Sequence, residues 1–369
     1  MKLNQYIYGC LCLQLLFSAC NSGDIAPLPS VAEGGEASLL FTFPSVDARA
    51  LGASPSVENL AESTVFSVYA YRDGVNVGTG VYQVGSADAT QASAVTIGGE
   101  EKVLKLTKGK YDLHFFSYHA TGTGTDEYPT LSLDGSGKTT QESKVTVPNG
   151  KDFLSTSLES IEIQADQTSG STSTGGTKTF TVSMKEAPFR HLCARVKATL
   201  EVQQKPVAPQ KVTELSVKVK NLAAGGTYVP GGTEITTSAR EDKNEATFTF
   251  SSMSSASGGF TPDFNASPLH NQCSSDDTFL LPVAASSPLK FDLSMKVKYT
   301  STQTGGGSTE KEQLVELTGY ELSKQLQAGK SYNFVFRLTF YGDYKPVGVT
   351  LDIQEYTPVK LPIGGVGED

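Results

Sequence analysis

Residues 37–43 read ASLLFTF, and the odd-numbered positions Leu39, Phe41 and Phe43 are apolar. A period of two places alternate side chains on opposite faces of a β-strand, so one face of this segment is predicted to lie on a core. Residues 64–71 (TVFSVYAY) alternate as well, but apolar or aromatic side chains occupy both sets of positions. We therefore expect a second strand that is at least partly buried on both faces.

Strand patterns recur along nearly the whole chain after residue 37, separated by turn-forming pairs such as Asp73-Gly74. Only residues 320–326 and 56–63 have patterns that could form a turn or two of helix. The other candidate strands are residues 77–84, 103–106, 110–119, 128–133, 143–147, 153–163, 177–184, 193–203, 212–220, 246–250, 279–282, 290–299, 313–317, 331–340 and 347–356. The sequence therefore predicts an all-β protein.

The composition agrees with this fold class and excludes one class of partner. Of the 369 residues, 19% are charged and 38% are hydrophobic, and 36 are glycine. These proportions suit short strands joined by turns better than long amphipathic helices. The 30 basic and 39 acidic residues give a net charge of −9. Because polyanion recognition needs clustered Lys and Arg, we expect no nucleic-acid partner.

The length fits two domains of about 100–200 residues each. Strand patterns resume directly on both sides of the Gly/Ser/Thr-rich run 169–177, so this run is interpreted as a long hairpin loop and not as a linker. The domain boundary is placed near residues 186–189, after one set of strands is complete. The predicted domains are residues 37–187 and residues 188–369.

The first twenty residues have the pattern of an export signal. One positive charge, Lys2, precedes an apolar segment that is too short to cross a bilayer, and small residues follow it. Residues 16–20 (LFSAC) resemble a lipobox, which predicts cleavage between Ala19 and Cys20 and acylation of Cys20. The signal peptide is then residues 1–19, and residues 20–36 form a Gly/Pro-containing tether. The alternative is an ordinary secretory signal without lipid.

Export changes the meaning of the remaining cysteines. Cys10 and Cys12 leave with the signal peptide, so Cys193 and Cys273 are the two thiols that remain beside the lipidated Cys20. One alternative is a disulfide, which would close a loop of about 80 residues and add roughly 4 kcal/mol in the chain-entropy model. The other is a pair of buried thiols that do not meet. Spacing alone does not decide between them.

No catalytic or metal-binding motif stands out. The four histidines, His114, His119, His191 and His270, are dispersed and do not occur in a zinc-site spacing. No nucleophile elbow or phosphate-binding loop is present in the sequence. We therefore expect no catalytic residues, no metal, no cofactor and no enzymatic activity. A pair of carboxylates distant in sequence, as in glycosidases, would leave no local signal, and an enzyme stays a third alternative.

Arg49 is the only basic residue between Lys2 and Arg72, and it follows the first predicted strand. Small residues and Gly52 surround it, as in the exposed loops that proteases cut. Cleavage between Arg49 and Ala50 would detach the first strand and little else. The alternative is an ordinary surface arginine.

The C-terminal segment, residues 347–363, is unusually apolar for a chain end. Val347, Val349, Leu351 and Ile353 alternate strictly, and the same odd-numbered register returns after Pro358. Such a segment is normally paired in its own sheet. If it is not, it can add to the edge or groove of another molecule.

Several of these segments, in this order, resemble the fimbrillin family of pilus subunits and surface lipoproteins of Bacteroidales-type bacteria. Each motif is loose, and their order and spacing along the mature chain carry the resemblance. Besides the lipobox at Cys20, they are residues 39–46 (LLFTFPSV), 65–71 (VFSVYAY), 111–118 (YDLHFFSY), 151–154 (KDFL), 189–196 (FRHLCARV), 328–334 (AGKSYNF) and 349–356 (VTLDIQEY).

The resemblance implies two transthyretin-like antiparallel β-sandwich domains in tandem. It also implies a lipid-anchored precursor at the outer membrane, an arginine-specific protease that cuts after Arg49, and homotypic or heterotypic pilus subunits as partners in an adhesive fimbrium. The displaced strand would carry Leu39, Phe41 and Phe43, and the donor strand would carry Val347, Val349, Leu351 and Ile353. The alternatives are a monomeric surface lipoprotein that binds a glycan or host protein, and a basal anchor subunit that is not cleaved.

Overall fold

The computed structural model describes residues 36–43, 57–58, 60–85, 90–120, 124, 127–133, 139, 143–163, 178–203, 211–253, 258–302, 306–340 and 346–355. These residues contain twenty-four β-strands, one short 3-10 helix and no α-helix. The all-β prediction is therefore confirmed. Within the same residues there is no helix of the length and apolarity that a bilayer span requires.

The strands of the first half run from Ala37 to His191. In chain order they are β1 (Ala37–Thr42), β2 (Val57–Glu58), β3 (Val65–Arg72), β4 (Val75–Val84), β5 (Gln91–Ala94), β6 (Thr96–Ile97), β7 (Glu100–Glu101), β8 (Lys105–Leu106), β9 (Gly109–Ser117), β10 (Val145–Pro148), β11 (Leu154–Ile163), β12 (Lys178–Ser183) and β13 (Phe189–His191).

The strands of the second half run from Ala194 to Glu355, with a 3-10 turn at Ser251–Met253. In chain order they are β14 (Ala194–Val202), β15 (Lys211–Ala223), β16 (Gly225–Tyr228), β17 (Thr236–Thr237), β18 (Arg240–Phe248), β19 (Gln272–Ser274), β20 (Thr278–Leu280), β21 (Leu289–Thr302), β22 (Ser308–Leu322), β23 (Ser331–Phe340) and β24 (Pro346–Glu355).

The first half consists mainly of one large sheet, in the order β12-β1-β5-β4-β3-β9-β11-β13-β2, in which β8 also pairs with β1. β6 and β7 form a separate two-stranded sheet. The pairs of the large sheet are antiparallel except for β1 and β12, which run parallel. The large sheet encloses an aromatic core in which Phe41, Phe66, Tyr82, Phe115 and Phe189 are at most 1% exposed. These rings meet mainly edge to face, the arrangement that the charge distribution of aromatic rings favours.

Two sheets form the second half, in the orders β19-β14-β23-β24 and β18-β15-β21-β22, and β20 pairs with β14. Alternate side chains of both sheets belong to one core, for example Val196 and Phe334 from the first and Val219 and Phe291 from the second. This arrangement is a sandwich, as the resemblance to the fimbrillin family implies. One pair, β14 and β23, is parallel.

A small third sheet, β10-β16-β17, joins strands from the two halves. Beneath it, Phe116, Phe153, Tyr228 and Leu281 share a buried cluster. The side-chain oxygen of Asn149 accepts a hydrogen bond from the Leu281 amide at 3.0 Å. The two halves therefore share a core as well as having one each.

Neither segment with helical potential forms a helix in the residues that the structure describes. Residues 320–322 extend β22, where Tyr320 lies opposite Phe291 of β21. Within residues 56–63, β2 pairs with β13 and forms the edge of the large sheet. Cross-strand pairing therefore prevails over the weak local helical pattern, and the helix predictions are wrong.

Candidate functional site

The first strand, β1, lies in a slot between two sets of neighbours. On one side it runs parallel to β12 along its full length, from Ala37 opposite Lys178 to Thr42 opposite Ser183. On the other side it pairs antiparallel with two short strands, first with β8 and then with β5. β1 is thus an interior strand that uses hydrogen bonds on both of its edges.

The outer wall of this slot depends on β1. Among the residues that the structure describes, β12 pairs with β1 and with no other strand. The Met184 amide, just after β12, donates to the Thr42 carbonyl at 2.8 Å. Without a strand in the slot, β12 would therefore lose its whole ladder, and the edges of β5 and β8 would be unpaired too.

The apolar face of β1 is fully buried. Ala37, Leu39, Phe41 and Phe43 are exposed by 3%, 3%, 0% and 5%, as the period of two predicts. The Phe41 ring centroid lies 4.7 Å from that of Tyr82 and 5.3 Å from that of Phe115. Burying the Leu and two Phe side chains contributes about 5–9 kcal/mol in total, at roughly 1.5–3 kcal/mol each.

The C-terminal strand, β24, is placed differently. It forms the edge of its sheet and, in the described part of the chain, is hydrogen-bonded to β23 alone. Leu351 lies opposite Phe336, and Val349 and Ile353 lie on the same face. These three side chains are half-buried against the second core. Val347 also belongs to β24, and residues 356–363 of the predicted donor strand lie outside the described residues.

The predicted processing residues are not part of the described structure. Ala19, Cys20, Arg49 and Ala50 all lie outside it, so lipidation and both cleavages stay predictions. The first strand and the C-terminal strand are the predicted features that the structure describes, as β1 and β24.

Cys193 and Cys273 are free and buried, which corresponds to the second of the two alternatives drawn from the sequence. Cys193 packs in the cluster between the halves, and Cys273 packs in the core of the second half. Burial raises the pKa of the Cys193 thiol to about 12. Both thiols are therefore small core residues in this structure.

A buried carboxylate with two imidazoles is a cluster that the sequence patterns did not reveal. Asp152 is 3% exposed, and its carboxylate lies 2.9 Å from Nδ1 of His191 and 3.4 Å from Nδ1 of His119. Asp152 is 33 positions from His119 and 39 positions from His191, so no short motif in the sequence indicates this cluster. No group of three or more His, Cys, Asp or Glu in the described ranges is placed to hold a metal ion.

The two imidazoles determine the charge state of Asp152. Burial on its own raises the pKa of the carboxyl, but the hydrogen bonds and charges of His119 and His191 outweigh burial, and the net pKa is lowered. A carboxyl whose pKa is lower in the folded state adds stability above its unfolded pKa. That contribution is lost as the pH falls through the folded pKa.

We therefore predict that Asp152→Asn lowers the free energy of unfolding at pH 7 by about 1.5–3 kcal/mol, the range for hydrogen bonds to a charged group. The difference from the wild type should shrink as the pH falls from about 4 through the lowered folded pKa, because the unfolded chain takes up the proton first and the folded carboxyl takes it up last. Urea unfolding at pH 7, 5 and 3 measures it. The matched control is Asp242→Asn, whose side chain is 63% exposed and should change stability little. A pH-independent difference would contradict the assignment.

The chain was also compared with known proteins. No protein-family model matches it, and no curated protein matches it. It is similar to solved structures from Bacteroides. A protein of Bacteroides uniformis, provisionally named a cell adhesion protein, is 12% identical with a TM-score of 0.47, over 88% of this chain and 98% of that one. A protein of Bacteroides fragilis with the same provisional name is 16% identical with a TM-score of 0.45, over 89% and 100%.

A third solved structure is a fimbrial protein of Bacteroides vulgatus, 11% identical with a TM-score of 0.43, over 87% of this chain and 99% of that one. The names of these neighbours agree with the resemblance to the fimbrillin family that the sequence motifs suggest. All three TM-scores are below 0.5, so these similarities do not assign a function to this chain.

Proposed function

We propose that this chain is a structural subunit of a cell-surface fimbrium that supports adhesion, and that it is not an enzyme. In this proposal the chain is exported as a lipoprotein anchored in the outer membrane through Cys20. An arginine-specific protease cuts it after Arg49, β1 leaves, and the C-terminal strand of a neighbouring subunit takes its place. The observation that carries the proposal is the position of β1 between two ladders with its apolar face buried.

A slot left empty by β1 is expected to bind another strand. Loss of β1 would expose the core around Phe66, Tyr82 and Phe115 to water and would leave the backbone groups of β12, β5 and β8 unpaired. Exposed apolar surface and unpaired strand edges both favour pairing with another chain. A cleaved subunit is therefore expected to assemble and not to remain a monomer.

The C-terminal strand has the properties of a donor. Its apolar residues Val347, Val349, Leu351 and Ile353 have the two-residue spacing of the buried residues of β1. As an edge strand, β24 has one ladder, whereas a strand in the slot has two. The side chains of Val349, Leu351 and Ile353 are half-buried in their own sheet, whereas the apolar side chains of β1 in the slot are at most 5% exposed. Transfer to the slot adds a second ladder and deeper burial.

The test uses the full chain and an arginine-specific protease. Cleavage should give a product that begins at Ala50 and forms ladders resistant to mild detergent on gel electrophoresis. The matched control is Arg49→Lys, which keeps the charge but should remain uncut after residue 49 and monomeric. A product that begins at Ala50 and stays monomeric would contradict the proposal. Protein recovered from cells with lipidated Cys20 as its first residue would favour the monomeric lipoprotein or the basal anchor instead.

A further inference from the structure

One side-chain hydroxyl takes part in the backbone ladder of the slot. Tyr82, on β4, is 1% exposed, and its hydroxyl donates to the Leu39 carbonyl of β1 at 3.1 Å. The same hydroxyl accepts a hydrogen bond from the Leu104 amide at 2.9 Å. The Leu39 amide in turn donates to the Leu104 carbonyl at 2.9 Å. Leu39 and Leu104 therefore form an antiparallel pair in which the tyrosine hydroxyl is inserted into one of the two hydrogen bonds.

The Tyr82 hydroxyl lies at a break in the inner wall of the slot, which is the side formed by β8 and β5. β1 meets β8 and the residue before it, Leu104, along its first half, and it meets β5 along its second half, where Phe41 lies opposite Ala92. Tyr82 reaches this junction from the next strand of the sheet. Burial raises the pKa of Tyr82, so the hydroxyl is protonated at neutral pH and available as a donor.

The surrounding sequence makes room for this arrangement. A Cβ atom at Gly80 would lie 2.7 Å from the Tyr82 ring and 2.9 Å from the Leu104 backbone nitrogen. Such distances are too short for any side chain. A glycine at position 80 therefore lets the ring and the Leu104 segment pack closely enough to hold the hydroxyl in the ladder.

We propose that the Tyr82 hydroxyl selects the direction and phase of the strand that fills the slot. This inference rests on the proposed exchange of β1 for a donor strand. In an extended strand, the N–H and C=O of one residue point to the same side. A residue at the Leu39 position whose side chain faces the core can therefore hydrogen-bond to both Leu104 and Tyr82 only when the strand runs parallel to β12. A reversed strand, or one shifted by a single residue, directs these groups toward β12 and leaves the hydroxyl and the Leu104 amide unpaired.

The test uses the full chain with a site-specific protease sequence inserted after Arg49. After cleavage, labelled synthetic peptides compete with the excised β1 segment for the slot. Two peptides are used, residues 36–43 and residues 346–355, and each carries a photo-cross-linker at either its N-terminus or its C-terminus. A forward peptide is one bound parallel to β12, whose N-terminal probe cross-links near residue 178 and whose C-terminal probe cross-links near residue 183, and a reversed peptide gives the opposite pattern. In the wild type, forward binding of each peptide should be about 10–100-fold tighter than reversed binding, because reversal of the backbone leaves buried polar groups unsatisfied. Tyr82→Phe should weaken forward binding by about that factor and abolish the discrimination.

Loss of packing alone would weaken forward and reversed peptides equally, so that result would overturn the inference. The matched control is Tyr332→Phe, which removes a hydroxyl that accepts the Gln327 amide at 3.0 Å in the other core and should leave the discrimination intact. If Tyr82→Phe does not fold, hydrogen exchange in the wild type decides. The Leu104 amide should be protected with residues 36–43 bound and exposed with the slot empty, and equal protection would overturn the inference.

The same experiment separates the inference from the proposed function. If residues 36–43 bind with discrimination but residues 346–355 do not bind, the proposed exchange is contradicted while the role of Tyr82 is supported. If both forward peptides bind and Tyr82→Phe changes no discrimination, the role of Tyr82 is contradicted and the exchange is supported.

Discussion

Replacing Phe41 by alanine should lower the free energy of unfolding of the uncleaved chain by about 3–5 kcal/mol, the range for truncating a fully buried aromatic side chain. Phe41 is 0% exposed, and its ring makes edge-to-face contacts with Phe66, Tyr82 and Phe115. Removal of the ring would lose these contacts and leave a cavity bounded by rigid aromatic groups that cannot collapse easily.

Urea unfolding followed by tyrosine fluorescence measures the effect. Leu314→Ala is the matched control, because this leucine is 53% exposed on β22 and its truncation should change stability by less than about 0.5 kcal/mol. A loss below about 1 kcal/mol for Phe41→Ala would show that β1 is not an integral part of the core. The proposed strand exchange would then have no slot to refill.

The alternation of residues 37–43 predicted both the strand and its buried face, because a period of two determines which side chains share a face. It could not predict the neighbours of the strand. The parallel partner β12 begins about 135 residues further along the chain and follows a Gly/Ser/Thr-rich run, and nothing in either segment specifies the other. The slot is therefore a property of the topology that the pattern of β1 alone does not contain.

The polar features of the molecule were also not predictable from patterns. Tyr82 has the sequence context of an ordinary strand aromatic residue, and its role depends on Leu104 and Leu39 meeting at its hydroxyl. Asp152 likewise acquires its partners, His119 and His191, from segments that the fold brings together. The spacing of residues along the chain indicates which side chains share a face of a strand and where turns lie. These contacts instead form between residues that are far apart in sequence.

The second prediction with a large expected effect concerns the residues that Leu351 contacts before and after assembly. In the uncleaved chain, Leu351 lies opposite Phe336 of its own β23. In the proposed fimbrium it lies in the slot of a neighbouring subunit, beside the rings that Phe41 contacts in the uncleaved chain. Because the two sites belong to different sheets, the change of partner should be nearly complete and not a small shift.

The central claim is that the C-terminal strand of one subunit fills the slot vacated by β1 in the next, and photo-cross-linking tests it most directly. A diazirine amino acid is placed at position 351, and the subunits are mixed with isotope-labelled subunits before cleavage and assembly. Position 350 serves as the control, because Thr350 is exposed and faces away from the core. In assembled material, cross-links from position 351 are predicted to join different subunits and to map to Phe66, Tyr82 or Phe115. Cross-links that remain within one chain at Phe336 after assembly would contradict the account.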